Sequence, residues 1–222
     1  MNFNQKLITL GLTMTILLTL TGLSCNLFKK KTTDTTDTTT ATTATPALLA
    51  ADSTSINQLF NANLDLAKSK AKEWKTDATL YAVNIKLPKD LSVNKAIETF
   101  VFGSAADTLD WWTFAISENS AKYVRAIVPK TDYLSTITKP IGMNYWKINY
   151  LEALKIADAN GGKAFREKNT DTQITENLSQ TEPKGWLWWI VEYESSTGDS
   201  LKVRINPTDQ TVVDESGNIV TK

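Results

Sequence analysis

The chain has 222 residues, with 24 basic and 24 acidic side chains and no histidine, so its formal net charge is zero. A neutral balance lacks the basic footprint of a nucleic-acid binder. With no histidine and a single cysteine, Cys25, no intramolecular disulfide can form. Zinc, haem and iron–sulfur centres have almost no ligands, and the commonest acid–base catalyst is missing. Only an all-oxygen calcium or magnesium site stays open, and no cofactor is expected.

Lys6 makes a short basic start, Leu7 to Leu23 is apolar apart from threonines, and Ser24-Cys25 is followed by polar residues and Lys29-Lys30-Lys31. That layout matches a secretory signal ending at a small residue. It resembles the signal of bacterial lipoproteins, whose cleavage leaves the cysteine as a lipid-bearing first residue, here Cys25. Gly22 and Leu23 depart from the Leu and small residue usual before such a cysteine, while Ser24 fits. The alternative is a membrane-spanning helix, which needs about 20 apolar residues. Leu7 to Leu23 is shorter and carries Thr9, Thr13, Thr15 and Thr19. Thr32 to Thr45 is nearly all threonine, has no apolar period, and reads as a disordered tether. From Cys25 to Ala51 such a coil would reach roughly 30 Å.

Ile56, Leu59, Phe60, Leu64, Ala67, Ala71 and Trp74 recur at helical spacing behind the caps Asp52 and Ser53. Thr79–Leu87 and Ile97–Phe102 read as strands, the second with a short helix from Ser92 as the alternative. Asp110–Ser117 and Lys122–Val128 read as a hairpin around Glu118-Asn119-Ser120. Pro129 and Pro140 bracket a loop. Asn149 and Glu152 form a capping box, with Ile148 as staple, for a second helix that Gly161 stops. Strands are expected at Lys163–Glu167, Gln173–Leu178, Trp186–Tyr193, Leu201–Ile205 and Thr211–Val213.

The halves echo each other. Trp111-Trp112-Thr113-Phe114 parallels Trp188-Trp189-Ile190-Val191, and Val124-Arg125-Ala126-Ile127-Val128-Pro129 parallels Val203-Arg204-Ile205-Asn206-Pro207. The fold class expected is α+β, as two repeated units that each pack a helix on an antiparallel sheet. The helix Asn149–Ala157, the pair Gly161-Gly162, and the strands ending Val203-Arg204-Ile205-Asn206-Pro207-Thr208-Asp209-Gln210-Thr211-Val212 resemble a PepSY domain, over roughly Ile148 to Val213. The turn glycine of that pattern is replaced by Asp209 or Gln210. The resemblance implies an inhibitory or protein-binding role, often beside a peptidase, and brings no catalytic residues.

Side chains alternate along a strand. Trp112 and Trp189 are therefore expected under the helices, and Trp111 and Trp188 outward. Val124, Ala126, Val128, Val203 and Ile205 are assigned to the core side. Arg125 and Arg204 would then share the outer face with Trp111 and Trp188. Each arginine could cover its tryptophan by cation–π stacking, or the two outer faces could pack together. A third reading is a binding platform of Trp111, Trp188, Trp186, Arg125 and Arg204, of a kind that suits sugar rings.

Enzyme motifs are weak. Ser69-Lys70-Ala71-Lys72 lies inside a helix, and Glu192 and Glu194 share one strand face rather than facing across a cleft. Asp158-Ala159-Asn160-Gly161-Gly162 has no glutamate at the twelfth position of a calcium loop. The organisation expected is a signal over 1–24, a lipid-anchored tether over 25–51, one unit over 52–140 and a second over 141–222. The function expected is a non-catalytic binding or inhibitory module, exported and held by lipid in the bacterial cell envelope, with a protein, peptide or peptidase as partner. The alternative is a glycan-binding lipoprotein using the outward tryptophans.

Overall fold

The computed structural model describes residues 45–117, 121–182 and 184–221. The signal, Cys25, most of the tether and the tip of the first hairpin at 118–120 lie outside these residues. Residues 45 onward belong to one compact unit.

Helix α1 (Ala47–Ala50) is a single turn, and α2 (Ser53–Trp74) follows it. Asp52 caps α2 by accepting from the Thr54 amide, as its position before the apolar period predicts. Four strands come next, β1 (Thr79–Lys86), β2 (Ile97–Ser104), β3 (Asp107–Ser117) and β4 (Tyr123–Pro129). The second half opens with α3 (Tyr150–Ala157), then a π turn, then α4 (Lys163–Lys168). It continues with β5 (Gln173–Thr181), β6 (Trp186–Glu194), β7 (Ser200–Ile205), β8 (Val212–Val213) and β9 (Ile219–Thr221).

All nine strands form one antiparallel sheet in the order β4-β3-β2-β1-β5-β6-β7-β8-β9. The sheet runs without a break across the boundary expected at 140/141, because β1 pairs with β5. The architecture is α+β, with the helices on one face. Beneath them one row of paired residues crosses seven strands, namely Phe114, Phe100, Val83, Leu178, Trp189, Ile205 and Val212. These residues join Phe60, Leu64, Leu151 and Leu154 of α2 and α3 in the main core.

Several local expectations hold. The Asn149–Glu152 capping box is formed in both directions, at 2.8 Å each way. Gly161 adopts φ 109°, a left-handed conformation that glycine reaches without a Cβ penalty. Ile97–Phe102 is strand rather than helix.

Two expectations fail. Lys163–Glu167 is helix α4, not a strand, because the chain resumes helical geometry at Gly162 after the kink. Consequently Trp188-Trp189 lies on the second strand of its half and Trp111-Trp112 on the third, so the sequence echo joins strands at different distances from the β1–β5 junction. The tether also ends earlier than Ala51. Leu48 is 1 % exposed and its amide donates to the Leu91 carbonyl at 2.9 Å. The apolar pair Leu48-Leu49 therefore already belongs to the folded body.

Candidate functional site

The face of the sheet opposite the helices carries the outward tryptophans, and a strap covers much of it. Residues 130–142 leave β4, cross this face and rejoin the fold where the Ile141 amide donates to the Leu80 carbonyl at 2.8 Å. Ile137 packs on Ala82, Val101 and Trp111 in a small second core, with Tyr81, Tyr133 and Leu134 around it. The Trp111 indole N–H donates to the Tyr133 carbonyl at 2.8 Å, and the Tyr81 ring lies 4.9 Å away. Beneath it Gly103 leaves room, since an added Cβ would stand 2.7 Å from the indole. Trp111 does point away from the helices, but it is 2 % exposed and offers no platform. Its cation is Lys130, 4.6 Å from the ring centroid, and not Arg125.

Arg125 and its strand sit opposite to expectation. Phe114 pairs with Arg125 and Trp111 with Val128. Phe114 is in the main core, so Tyr123, Arg125 and Ile127 share the helix side, while Val124, Ala126 and Val128 share the side of Trp111. Arg125 stands over the Tyr123 ring at 5.9 Å. The apolar alternation of β4 misled because β4 is an edge strand with neither face fully covered. Val124 is 70 % exposed on one side and Ile127 59 % on the other. Leu109 nearby is 76 % exposed.

In the second half the alternation holds. Val203 and Ile205 join the core, and Arg204 pairs with Ile190 on the outer side. Trp189 is fully buried, and its indole N–H donates to the Ile148 carbonyl at 3.0 Å. Trp188, pointing the other way, is only 1 % exposed and stacks on Trp186 at 6.0 Å. Arg204 reaches Glu215 at 3.9 Å. It lines a cavity with Thr138 and Lys139 of the strap, which shows how far the strap extends across the sheet. Of the three tryptophans of the expected platform only Trp186 is open, at 51 %, and Arg125, though exposed, lies on the other face of the sheet.

Trp186 lines a cavity of ≈ 400 Å³ with Tyr145, Gln180, Gly185, Leu187, Asn206, Thr208 and Asp209. Lys184 stands 4.8 Å from the Trp186 centroid. Tyr145 and the 206–210 turn gave no signal at the sequence level, because they meet only through the packing of a short 3₁₀ turn (Met143–Tyr145) against the β7–β8 connection.

Two buried carboxylates were also missed. Glu98, Ile85 and Glu176 lie side by side on β2, β1 and β5, facing the helices. Glu98 accepts from the Asn63 amide of α2 at 2.8 Å. Glu176 is fully buried with no hydrogen-bond partner on either oxygen among the described residues, and burial pushes its carboxyl well above the ordinary 4.5. Strand alternation held this signal, since Ile174-x-Glu176-x-Leu178 places Glu176 inward.

The weak enzyme motifs resolve into ordinary contacts. Lys70 binds Glu73, Asp158 binds Arg166 at 2.7 Å, and Glu192 binds Lys202 at 3.1 Å. No three His, Cys, Asp or Glu side chains cluster as metal ligands among the described residues. No protein-family model, curated protein or solved structure matches this chain.

Proposed function

We propose that this chain is a lipid-anchored module of the bacterial cell envelope that binds an extended segment of another protein and catalyses nothing. The observation that carries the reading is β4. It ends the sheet on one side, so one hydrogen-bonding edge has no strand beside it among the described residues. Val124, Ile127 and Leu109 offer exposed apolar contacts along it. A sheet edge with exposed apolar side chains can take an added strand, with backbone hydrogen bonds giving affinity and alternate side chains giving specificity. The Ser24-Cys25 layout supports the anchor, and a chain without histidine supports a non-catalytic role.

The finer fold reading is two helix-on-sheet units joined edge to edge, the second of PepSY type. Its support is that each half opens with a capped helix and that β1 and β5, the first strand of each half, pair with each other. The helix stopping at Gly161, followed by β5 to β8 in hairpin succession, also supports it.

Two measurements test the function. Cys25→Ser should abolish palmitate labelling and release the protein from membranes, since acyl chains supply about 0.8 kcal/mol per buried methylene. Selection of displayed peptides on the detergent-solubilised full chain should return extended sequences with alternating apolar residues. The double variant Val124→Lys, Ile127→Lys should lose them while melting normally. A membrane-bound Cys25→Ser chain, or peptides indifferent to the β4 variant, would sink the reading.

A further inference from the structure

We infer that the cavity between Trp186 and Tyr145 is a binding site for a neutral sugar ring of a glycan, distinct from the β4 edge. The strand order separates the two sites, with β3, β2, β1 and β5 standing between β4 and β6.

Its walls are two half-open aromatics, Trp186 at 51 % and Tyr145 at 60 % exposure, over the buried Leu187. Exposed aromatic rings with a polar tip are costly on a bare surface and characteristic of recognition sites. A volume of ≈ 400 Å³ falls in the range of about 300–1,000 Å³ typical of small-ligand sites.

The polar lining matches hydroxyl chemistry. Among the described residues the Gln180 amide, the Trp186 indole N–H and the Tyr145 hydroxyl make no hydrogen bond, so all three are available to a ligand. Asn206 uses its Oδ1 to accept from the Thr208 amide at 2.8 Å, which leaves its amide N–H groups to donate. Asp209 uses one oxygen to accept from the Thr211 amide at 3.0 Å, which leaves the other to accept. A sugar presents a C–H face to a ring and a girdle of hydroxyls that both donate and accept. Amide, indole, phenol and carboxylate groups answer that girdle. Among the described residues Asp209 is the one charged side chain lining the cavity, and the Lys184 ammonium stands beside it at 4.8 Å from the Trp186 centroid, so one negative and one positive charge offset each other and favour a neutral ligand.

The site is also held in shape before any ligand arrives. The Thr208 hydroxyl donates to the Tyr145 carbonyl at 2.6 Å, and the Lys147 amide donates to the Pro207 carbonyl at 3.0 Å. The turn itself is closed by Asn206 and Thr211 at 2.8 Å. Gly142 admits the Tyr145 ring, since a Cβ there would lie 2.9 Å from it. On the other wall Trp188 backs Trp186. Preorganisation of this kind lowers the cost of binding.

The test is calorimetric titration of the detergent-solubilised full chain with a panel of neutral oligosaccharides, comprising β-1,4 and α-1,4 hexose oligomers and N-acetylhexosamine oligomers. At least one should bind. Trp186→Ala and Tyr145→Ala should each weaken it by about tenfold or more, and Trp186→Phe should restore most of the loss. Gln180→Ala gives a second route should Trp186→Ala melt early. The variant Val124→Lys, Ile127→Lys should bind the same sugar unchanged, which separates this site from the β4 reading. The inference is overturned if no panel member binds, if binding ignores all three cavity substitutions, or if an aromatic peptide fills the cavity in place of sugar.

Discussion

Trp188 and Trp189 are neighbours that point to opposite faces of β6, and both are buried, at 1 % and 0 % exposure. Each Ala substitution should therefore cost about 3–5 kcal/mol, a large part of the stability of an ordinary domain. Trp186→Ala, at the open end of the same strand, should cost about 1 kcal/mol or less. Thermal melts of the three variants check the ordering, and a mild Trp188→Ala would mean that its face is open. Glu176 gives a pH prediction. Burial raises its folded pKa, so the fold retains a proton that the unfolded chain releases above about pH 4.5. Stability is then fully present below that pH and falls as pH rises through the folded value. Glu176→Gln removes the loss. The variant should melt higher than wild type near about pH 8, with the gap closing toward about pH 4. A constant gap across that range would show that ionisation of Glu176 is not its source.

At the scale of elements, helix α3 has its start and its stop in the sequence. Asn149 and Glu152 satisfy each other's end of the first turn, and Gly161 supplies the left-handed break. Asn149→Ala should lower stability by about 1 kcal/mol, read as a shift in denaturant midpoint at unchanged slope. An unchanged midpoint would mean that packing alone holds the start of α3. What the break leads to was not local. After Gly161 the chain turns back into helix at Gly162, whose missing side chain leaves space for the Tyr193 ring. Residues 163–168 follow that contact rather than their own alternation. β4 shows the same dependence in reverse. Its Val-x-Ala-x-Val alternation looked like a core face, yet pairing to β3 places Arg125 beside Phe114 and turns the valines to the other side.

Across the whole molecule, the β1–β5 pairing fuses the two halves. The row from Phe114 to Val212 crosses the sheet beneath both α2 and α3. The main core draws on both halves, so unfolding should be one cooperative event. Calorimetry should give a single transition whose direct and van't Hoff enthalpies agree. Two resolved transitions would show that the halves fold independently. The strap belongs to this scale as well, since residues from one sheet edge close the outer face as far as Arg204.

The sequence by itself determined what depends on near neighbours. The period of α2, its Asp52 cap, the Asn149–Glu152 box, the left-handed Gly161 and the strand alternation of Trp186–Tyr193 are each set within a few residues. All appear where the pattern placed them. Alternation also separated Trp189 from Trp188 and Trp112 from Trp111 by face. It could not say what lies over a face, and that decided the candidate site. The strap buries Trp111, Trp186 backs Trp188, and the cavity takes Tyr145 from a 3₁₀ turn and Asn206 from a β turn 61 residues further along the chain. Burial is a property of what arrives from elsewhere in the chain, so only the tertiary structure left Trp186 as the open tryptophan of the three.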